Sequence, residues 1–242
     1  MMIQKVAVLG AGTMGNGIAQ VVAEAGYSVV MIDLTDELLR KGMQTIGNSL
    51  QRGVDKGRRS AEQKAATMVR ITLATRLEDA AKADLVIEAV PEDLAIKKKT
   101  FTELDRLCAP HTILASNTSS LPISAIASAT RRPEKVVGMH FMNPVPVMQG
   151  VEIIRGLLTS EETLATSKAF VEKLGKVPVE AVDYTGFVVS RVLDVMMNEA
   201  VYCVMDGNRP EEIDKAMKVC TNFPMGPLEL IDLAGADVLL HV

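Results

Sequence analysis

The sequence predicts an α/β protein: an open, doubly wound and mostly parallel sheet followed by an all-helical C-terminal segment. Three observations lead there. Short β-branched runs alternate with stretches of helical spacing up to about residue 180, a glycine-rich turn follows the first run directly, and after Gly186 helical periodicity continues with no further strand-like run. Strands separated by helices need crossover connections, which set neighbouring strands parallel and cover both faces of the sheet.

Taken in order, KVAVLG is the first strand-like run, and Met14, Ile18, Val21, Val22 and Ala25 behind it repeat at the spacing of one helix face. YSVVMI follows. Residues 37–70, with Gly53-Val-Asp-Lys-Gly57 in their middle, read as a helical hairpin inserted between strands. DLVIEAV, TILAS, KVVGMH and VEIIR complete six runs. Beyond them VVSRVLDVMMNEAVYCVMDG, PEEIDKAMKVC and GPLELIDLAGADVLL are helical in pattern. The boundary falls in Asp183-Tyr-Thr-Gly186, giving a first domain over 1–185 and a second over 186–242.

Composition narrows the partners. At 242 residues and 48% hydrophobic, the chain can bury one large core or two smaller ones. Lys+Arg 26 against Asp+Glu 30, with no basic block, argues against a nucleic acid or an anionic membrane as partner. No stretch is apolar enough to span a bilayer. MMIQKVAVLG enters a strand-like run at once and leaves no room for a cleavable leader. Cys108, Cys203 and Cys220 are far apart and odd in number, which favours neither a disulfide framework nor a metal cage and suits a cytoplasmic location. No metal is expected.

Gly10-Ala-Gly12-Thr-Met-Gly15 lies directly after a strand and opens a helix. Gly10 permits the tight turn, Gly12 lets backbone approach a pyrophosphate, and Gly15 lets helix and strand pack closely, with Thr13 and Met14 at the helix N-terminus that faces the phosphate charge. Alone, that pattern is weak. Asp33 strengthens it, because it ends the next strand about twenty residues on, where a carboxylate bonds the ribose hydroxyls of a dinucleotide. The competing explanation, a glycine turn and an Asp that caps the helix after Thr35, leaves the agreement of strand, glycines, helix and acid unexplained. The pattern is that of a Rossmann-type domain, and an acid at Asp33 repels a 2′-phosphate, so NAD is expected over NADP.

In an open α/β sheet, ligands bind outside the carboxyl ends of the strands. Those ends read Gly10 to Gly12, Asp33, Glu88 to Glu92, Ser116 to Ser119, and His140 to Asn143. His140 closes KVVGMH, whereas Glu152 sits inside VEII, where an unpaired carboxylate would carry a heavy desolvation penalty. If the two runs are neighbours across NPVPVMQG, Glu152 can hold one imidazole nitrogen, fix the tautomer and leave the other nitrogen for a substrate proton. A structural strand-capping histidine is the plainer alternative. His111, after Pro110, and His241, beside the chain end, lack that setting. Ser116-Asn117-Thr118-Ser119-Ser120 offers donors to the same crevice, and reads equally as turn and capping chemistry.

With these residues in view, the chain resembles the 3-hydroxyacyl-CoA dehydrogenase family, in particular its bacterial 3-hydroxybutyryl-CoA dehydrogenase branch. VAVLGAGTMG, EAVPEDLAIKKKTF, ILASNTSSLPI, GMHFMNPVPVM, GFVVSR and FPMGPLELIDLAG carry the resemblance, in family order, over nearly the whole chain. It implies NAD-dependent, reversible oxidation of a (3S)-hydroxyacyl-CoA to the 3-oxoacyl-CoA, with His140 as general base and Glu152 orienting it. It further implies that Ser119 bonds the reacting oxygen, that Glu92, Lys97, Asn117 and Asn143 line the cofactor, and that Ser49 and Lys56 hold the CoA moiety. A homodimer through the helical domain is implied as well. Tyr27, Tyr184 and Tyr202 are followed four residues later by Met31, Val188 and Asp206, so no Tyr-x-x-x-Lys pair competes for the proton-transfer role.

The chain also departs from the family. Ser190 stands where the family has an asparagine near the substrate, Gln149-Gly150 replaces a Lys-Leu pair, and Asp194 interrupts a helical position that is usually apolar. The family's helical domain runs several helices past Val242, so the second domain is expected to be incomplete, with exposed apolar faces or a partner chain over them. Two other readings are a carnitine or β-hydroxyacid dehydrogenase and a non-catalytic NAD-binding relative of the crystallin or sensor kind. Lys56, Arg58 and Arg59 suit CoA phosphates and argue against the first, though charge clusters also form plain solvated faces.

Overall fold

A computed structural model describes residues 3–236; His241 lies outside them. The chain divides into two compact units, Met1–Asp183 and Tyr184–Val242.

The first unit is built on one sheet of eight strands. In chain order these are β1 (Lys5–Leu9), β2 (Ser28–Ile32), β3 (Ile71–Ala74), β4 (Leu85–Glu88), β5 (Ile113–Ser116), β6 (Val136–Phe141), β7 (Gly150–Arg155) and β8 (Val177–Val182). They lie side by side in the order β3, β2, β1, β4, β5, β6, β7, β8. The first six are parallel, β7 runs antiparallel to β6, and β8 is parallel to β7. The chain winds one way from β1 through β2 to β3 and then crosses to β4 on the other side. The switch point, and hence the ligand crevice, lies at the carboxyl ends of β1 and β4.

Two strands go beyond the six runs seen in the sequence. Ile71–Ala74 is an edge strand of four residues, too short to show alternation. Val177–Val182 is the opposite edge, where Pro178 can be tolerated. The expected parallel sheet is therefore mixed, because the eight-residue link between β6 and β7 is too short for a crossover and long enough only for a hairpin.

Helix α1 (Thr13–Glu24) buries Ile18, Ala19, Val21 and Val22 against Val6, Val8, Val29 and Met31 of the sheet. The inserted hairpin consists of α2 (Asp36–Asp55) and α3 (Ala61–Val69). Thr35 caps α2 through its hydroxyl, which accepts from the Leu38 N–H, and Ser60 with Gln63 forms a capping box on α3. Gly53 belongs to α2 and only Lys56 to Ser60 make the turn, one helical turn later than the sequence suggested. Helices α4 (Leu94–Leu107), α5 (Ile123–Ala127) and α6 (Glu161–Lys173) complete the layers. Cys108 is buried, and burial pushes its thiol up to about 11, which leaves it inert.

The helical unit contains α7 (Val189–Met205), α8 (Pro210–Thr221) and α9 (Pro227–Ala234). Asp214 of α8 accepts from the N–H groups of Leu228 (2.8 Å) and Glu229 (3.1 Å) and so caps α9. A Cβ on Gly226 would stand 2.2 Å from Asp214 Oδ1, which explains the glycine there. Asp194 on α7 is half-buried, and burial pushes its carboxyl above the usual range. Nothing in the structure explains Gln149-Gly150. No helix among the described residues is long and apolar enough to cross a membrane.

Candidate active site

The glycine turn between β1 and α1 is fixed by contacts that exclude side chains. Gly10 has φ +97°, and a Cβ on it would lie 2.5 Å from Ala89 O; a Cβ on Gly15 would lie 1.9 Å from Gly10 O. Gly12 differs, for a Cβ there would meet nothing within 4 Å. The open space at Gly12 adjoins the first turn of α1, whose N–H groups have no partner within the helix and which has no side-chain cap. Asp33 ends the neighbouring strand and its Oδ2 accepts from the Ala11 N–H at 2.6 Å. Asn16 Nδ2 donates to Gly12 O at 2.6 Å. The carboxylate and the amide thus brace the turn from both sides. Such a set of free helix amides, open space and an adjacent acid fits a diphosphate joined to a ribose diol.

Register carries the next residues to the same edge. Leu9 pairs with Glu88, Glu88 with Ser116, and Ser116 with Gly138. His140 therefore lies two residues, roughly 7 Å, beyond the level of Ser116 and alongside residues 117–119. Asn117 ties the two strand ends together: its Oδ1 accepts from the Phe141 N–H at 2.9 Å.

Behind this edge a buried ion pair sets the loop after β4. Glu88 and Lys97 are buried almost completely, and Lys97 Nζ stands 2.7 Å from Glu88 Oε1, 3.2 Å from Glu92 Oε2 and 3.3 Å from Val90 O. Ser116 Oγ donates to Glu88 Oε2 at 2.6 Å. Removing one partner of such a pair leaves an uncompensated buried charge, at about 3–5 kcal/mol. The Lys97 ammonium donates to Glu88 and Val90 and forms an ion pair with Glu92, which it helps to orient. Glu92 in turn accepts from the Ser119 N–H at 2.9 Å and from the Thr118 hydroxyl. The serine-rich segment is thereby divided in function. Ser116 and Thr118 hold the loop, while the half-buried Ser119 hydroxyl makes no hydrogen bond among the described residues.

Glu152 and His140 are direct neighbours in the β6–β7 ladder, and His140 Nδ1 stands 2.8 Å from Glu152 Oε2. The glutamate is 2% exposed and the histidine 6%. An ionised carboxylate can only accept, so Nδ1 is the donor in this contact. Asn143 follows β6 and is exposed. In the inserted hairpin, half-buried Ser49 lies on α2 and exposed Lys56 is the C-cap of that helix, seven residues on. Arg58 is exposed as well, but Arg59 is turned inward and paired with Glu24 of α1, which pins the hairpin to the cofactor helix. Ser190 is half-buried in the first turn of α7, in the helical unit.

Comparison with known proteins places the chain in a family. The NAD binding domain of 3-hydroxyacyl-CoA dehydrogenase matches residues 5–184, and the C-terminal domain of the same family matches residues 186–242. This chain belongs to the 3-hydroxyacyl-CoA dehydrogenase family. A probable 3-hydroxybutyryl-CoA dehydrogenase of Bacillus subtilis is 51% identical, with 100% of this chain and 85% of the relative covered. The 3-hydroxybutyryl-CoA dehydrogenase of Bradyrhizobium diazoefficiens is 47% identical over 99% of this chain and 82% of the relative. Among solved structures, (S)-3-hydroxybutyryl-CoA dehydrogenase from Ralstonia eutropha superimposes with a TM-score of 0.95 at 44% identity, covering 99% of this chain and 85% of that one.

As a 3-hydroxyacyl-CoA dehydrogenase, the chain is an NAD-dependent oxidoreductase. The turn at Gly10 to Gly15 and Asp33 are the residues that fit NAD. Sequence reasoning did not single out Asn16, and it read Glu88 and Ser116 only as polar groups at the strand ends, without the bond that joins them. Glu88 inside an apolar strand carried the same signal as Glu152, a carboxylate that needs a buried partner.

Proposed function

We propose that this chain catalyses the reversible oxidation of a short-chain (3S)-hydroxyacyl-CoA, 3-hydroxybutyryl-CoA foremost, to the 3-oxoacyl-CoA. The observation that carries the reading is the buried 2.8 Å contact of His140 and Glu152 at the strand edge that holds the glycine turn. His140 Nε2 takes the proton of the C3 hydroxyl, and the oxygen gains alkoxide character. NAD held at the glycine turn would supply the acceptor for the hydride of C3. Glu152 stabilises the imidazolium that forms and keeps its ring in place. In the reverse direction His140 returns the proton to the oxygen.

Ser119 donates its hydroxyl to the oxygen as negative charge builds there, where a fixed donor is worth more than in water. Glu92 sets Ser119 through the backbone N–H and, with Asn117 and Asn143, lines the cofactor; Lys97 supports Glu92 from behind. Ser49 and Lys56 hold the CoA moiety from the hairpin. Ser190 takes the place of an asparagine that anchors substrate in the family, and its shorter side chain lowers the rate. The preference for a short chain rests on the names of the relatives. A homodimer through the helical unit belongs to the same reading, supported by Val192, Val195 and Met205, which are 62%, 68% and 74% exposed.

Loss of NADH absorbance on addition of acetoacetyl-CoA and of longer 3-oxoacyl-CoA thioesters tests the proposal. Turnover fastest on the four-carbon thioester is expected. Tight NADH binding without turnover on any thioester would instead leave a protein that binds NAD and does no chemistry.

A further inference from the structure

The loop that joins the two strands of the His140–Glu152 pair is held from below by a buried lysine that the chemistry above does not use. Lys176 follows α6 and precedes β8, is 8% exposed, and donates through Nζ to Val145 O at 2.7 Å and Met148 O at 2.6 Å. The next residue adds a third tie, from the Val177 N–H to Gln149 O at 2.9 Å. Among the described residues no carboxylate lies within ion-pairing distance of Lys176. Burial lowers its ammonium below the usual lysine range. An unpaired buried ammonium is destabilising, and its persistence calls for a role.

The upper side of the same loop meets the cofactor helix. Val145 is 2% exposed, and a Cβ on Gly17 of α1 would come within 2.9 Å of the Val145 Cβ. The loop is thus gripped between α1, two residues past Gly15, and the Lys176 ammonium. Asn143 is at its start and the Glu152 strand at its end. Within it, the N–H groups of Val147 and Met148 both donate to Pro144 O, which leaves the carbonyls of Val145 and Met148 for the lysine.

We propose that Lys176 is a positioning residue: it fixes the β6–β7 loop against the cofactor helix and so sets Asn143 where it meets NAD. The inference rests on the reading of Asn143 as a cofactor contact. Lys176 acts only through the loop, and its effect on NAD disappears when Asn143 is removed.

A double-mutant cycle on the full chain, read by NADH fluorescence titration, tests this. Asn143→Ala and Lys176→Met should each weaken NADH binding roughly tenfold, and the double variant should bind no more weakly than Asn143→Ala alone. Lys176→Gln, which keeps a donor for the carbonyls, should recover most of the affinity; Lys176→Ser, polar but too short to reach them, carries the cycle if Lys176→Met does not fold, as judged by circular dichroism, and parental affinity in it would overturn the role of Lys176 in the same way. Parental affinity in Lys176→Met, or losses that multiply in the double variant, would overturn the role of Lys176 while leaving that of Asn143. Parental affinity in Asn143→Ala would overturn the reading of Asn143 and this inference with it.

Discussion

Glu152 faces His140 across one rung of an antiparallel ladder, Oε2 to Nδ1 at 2.8 Å, with both side chains buried. Side chains directly opposite on a ladder project to the same face with Cβ atoms about 5 Å apart. Twelve residues of chain separate the two, yet the hairpin leaves each little choice of partner. A carboxylate in that position holds the imidazole in one tautomer. The proposed chemistry uses the nitrogen turned from the glutamate.

Asp33 should decide between the two nicotinamide dinucleotides. Its Oδ2 accepts from the Ala11 N–H, so Asp33→Ala loosens the glycine turn for both, but only NADH also loses a carboxylate for its ribose hydroxyls. Isothermal titration with each cofactor should show NADH weakened roughly ten- to a hundredfold more than NADPH. Equal weakening would mean that the acid braces the turn and does not touch the ribose.

Asp105 links α4 to the approach of the histidine strand. It is 6% exposed, its Oδ1 lies 2.6 Å from Arg132 Nε and its Oδ2 accepts from the Arg131 N–H at 3.1 Å. Burial alone would raise this carboxyl, but the Arg131 amide and the Arg132 guanidinium prevail and hold it below the usual range. A folded-state pKa below the unfolded one gives stability that is complete above the unfolded value, near 3.8. It is lost as pH falls through the lower folded value. Asp105→Asn should cost about 2 kcal/mol at pH 7 in denaturant unfolding, and the deficit should shrink below about pH 4. A deficit that is constant down to pH 2 would assign the loss to packing.

The sequence made the frame legible where physics is local. A glycine at φ +97° whose Cβ would collide with Ala89 O, and another whose Cβ would collide with Gly10 O, leave a pattern because no other residue fits. His140 and Glu152 were legible for a different reason, since an ionisable group inside an apolar run needs a partner. What was missed depends on tertiary neighbours. The edge strands Ile71–Ala74 and Val177–Val182 are short or carry proline, so their pairing comes from the sheet and not from their own pattern. Arg59 looked like a free cation for phosphate until the fold set it against Glu24. Lys97 gave no hint from sequence alone that it pairs with a buried Glu88. Lys176, between a glycine and a proline-containing strand, gave no hint that its ammonium is buried.

The central claim is that His140 and Glu152 work as one unit on the substrate proton. Steady-state oxidation of NADH with acetoacetyl-CoA should be measured in His140→Ala, Glu152→Gln and the double variant, alongside NADH binding. Each single change should lower kcat by roughly 10²–10⁴, the double variant should fall no further than the worse single one, and the NADH dissociation constant should stay at the parental value. Parental turnover in His140→Ala, or losses that multiply in the double variant, would contradict the account.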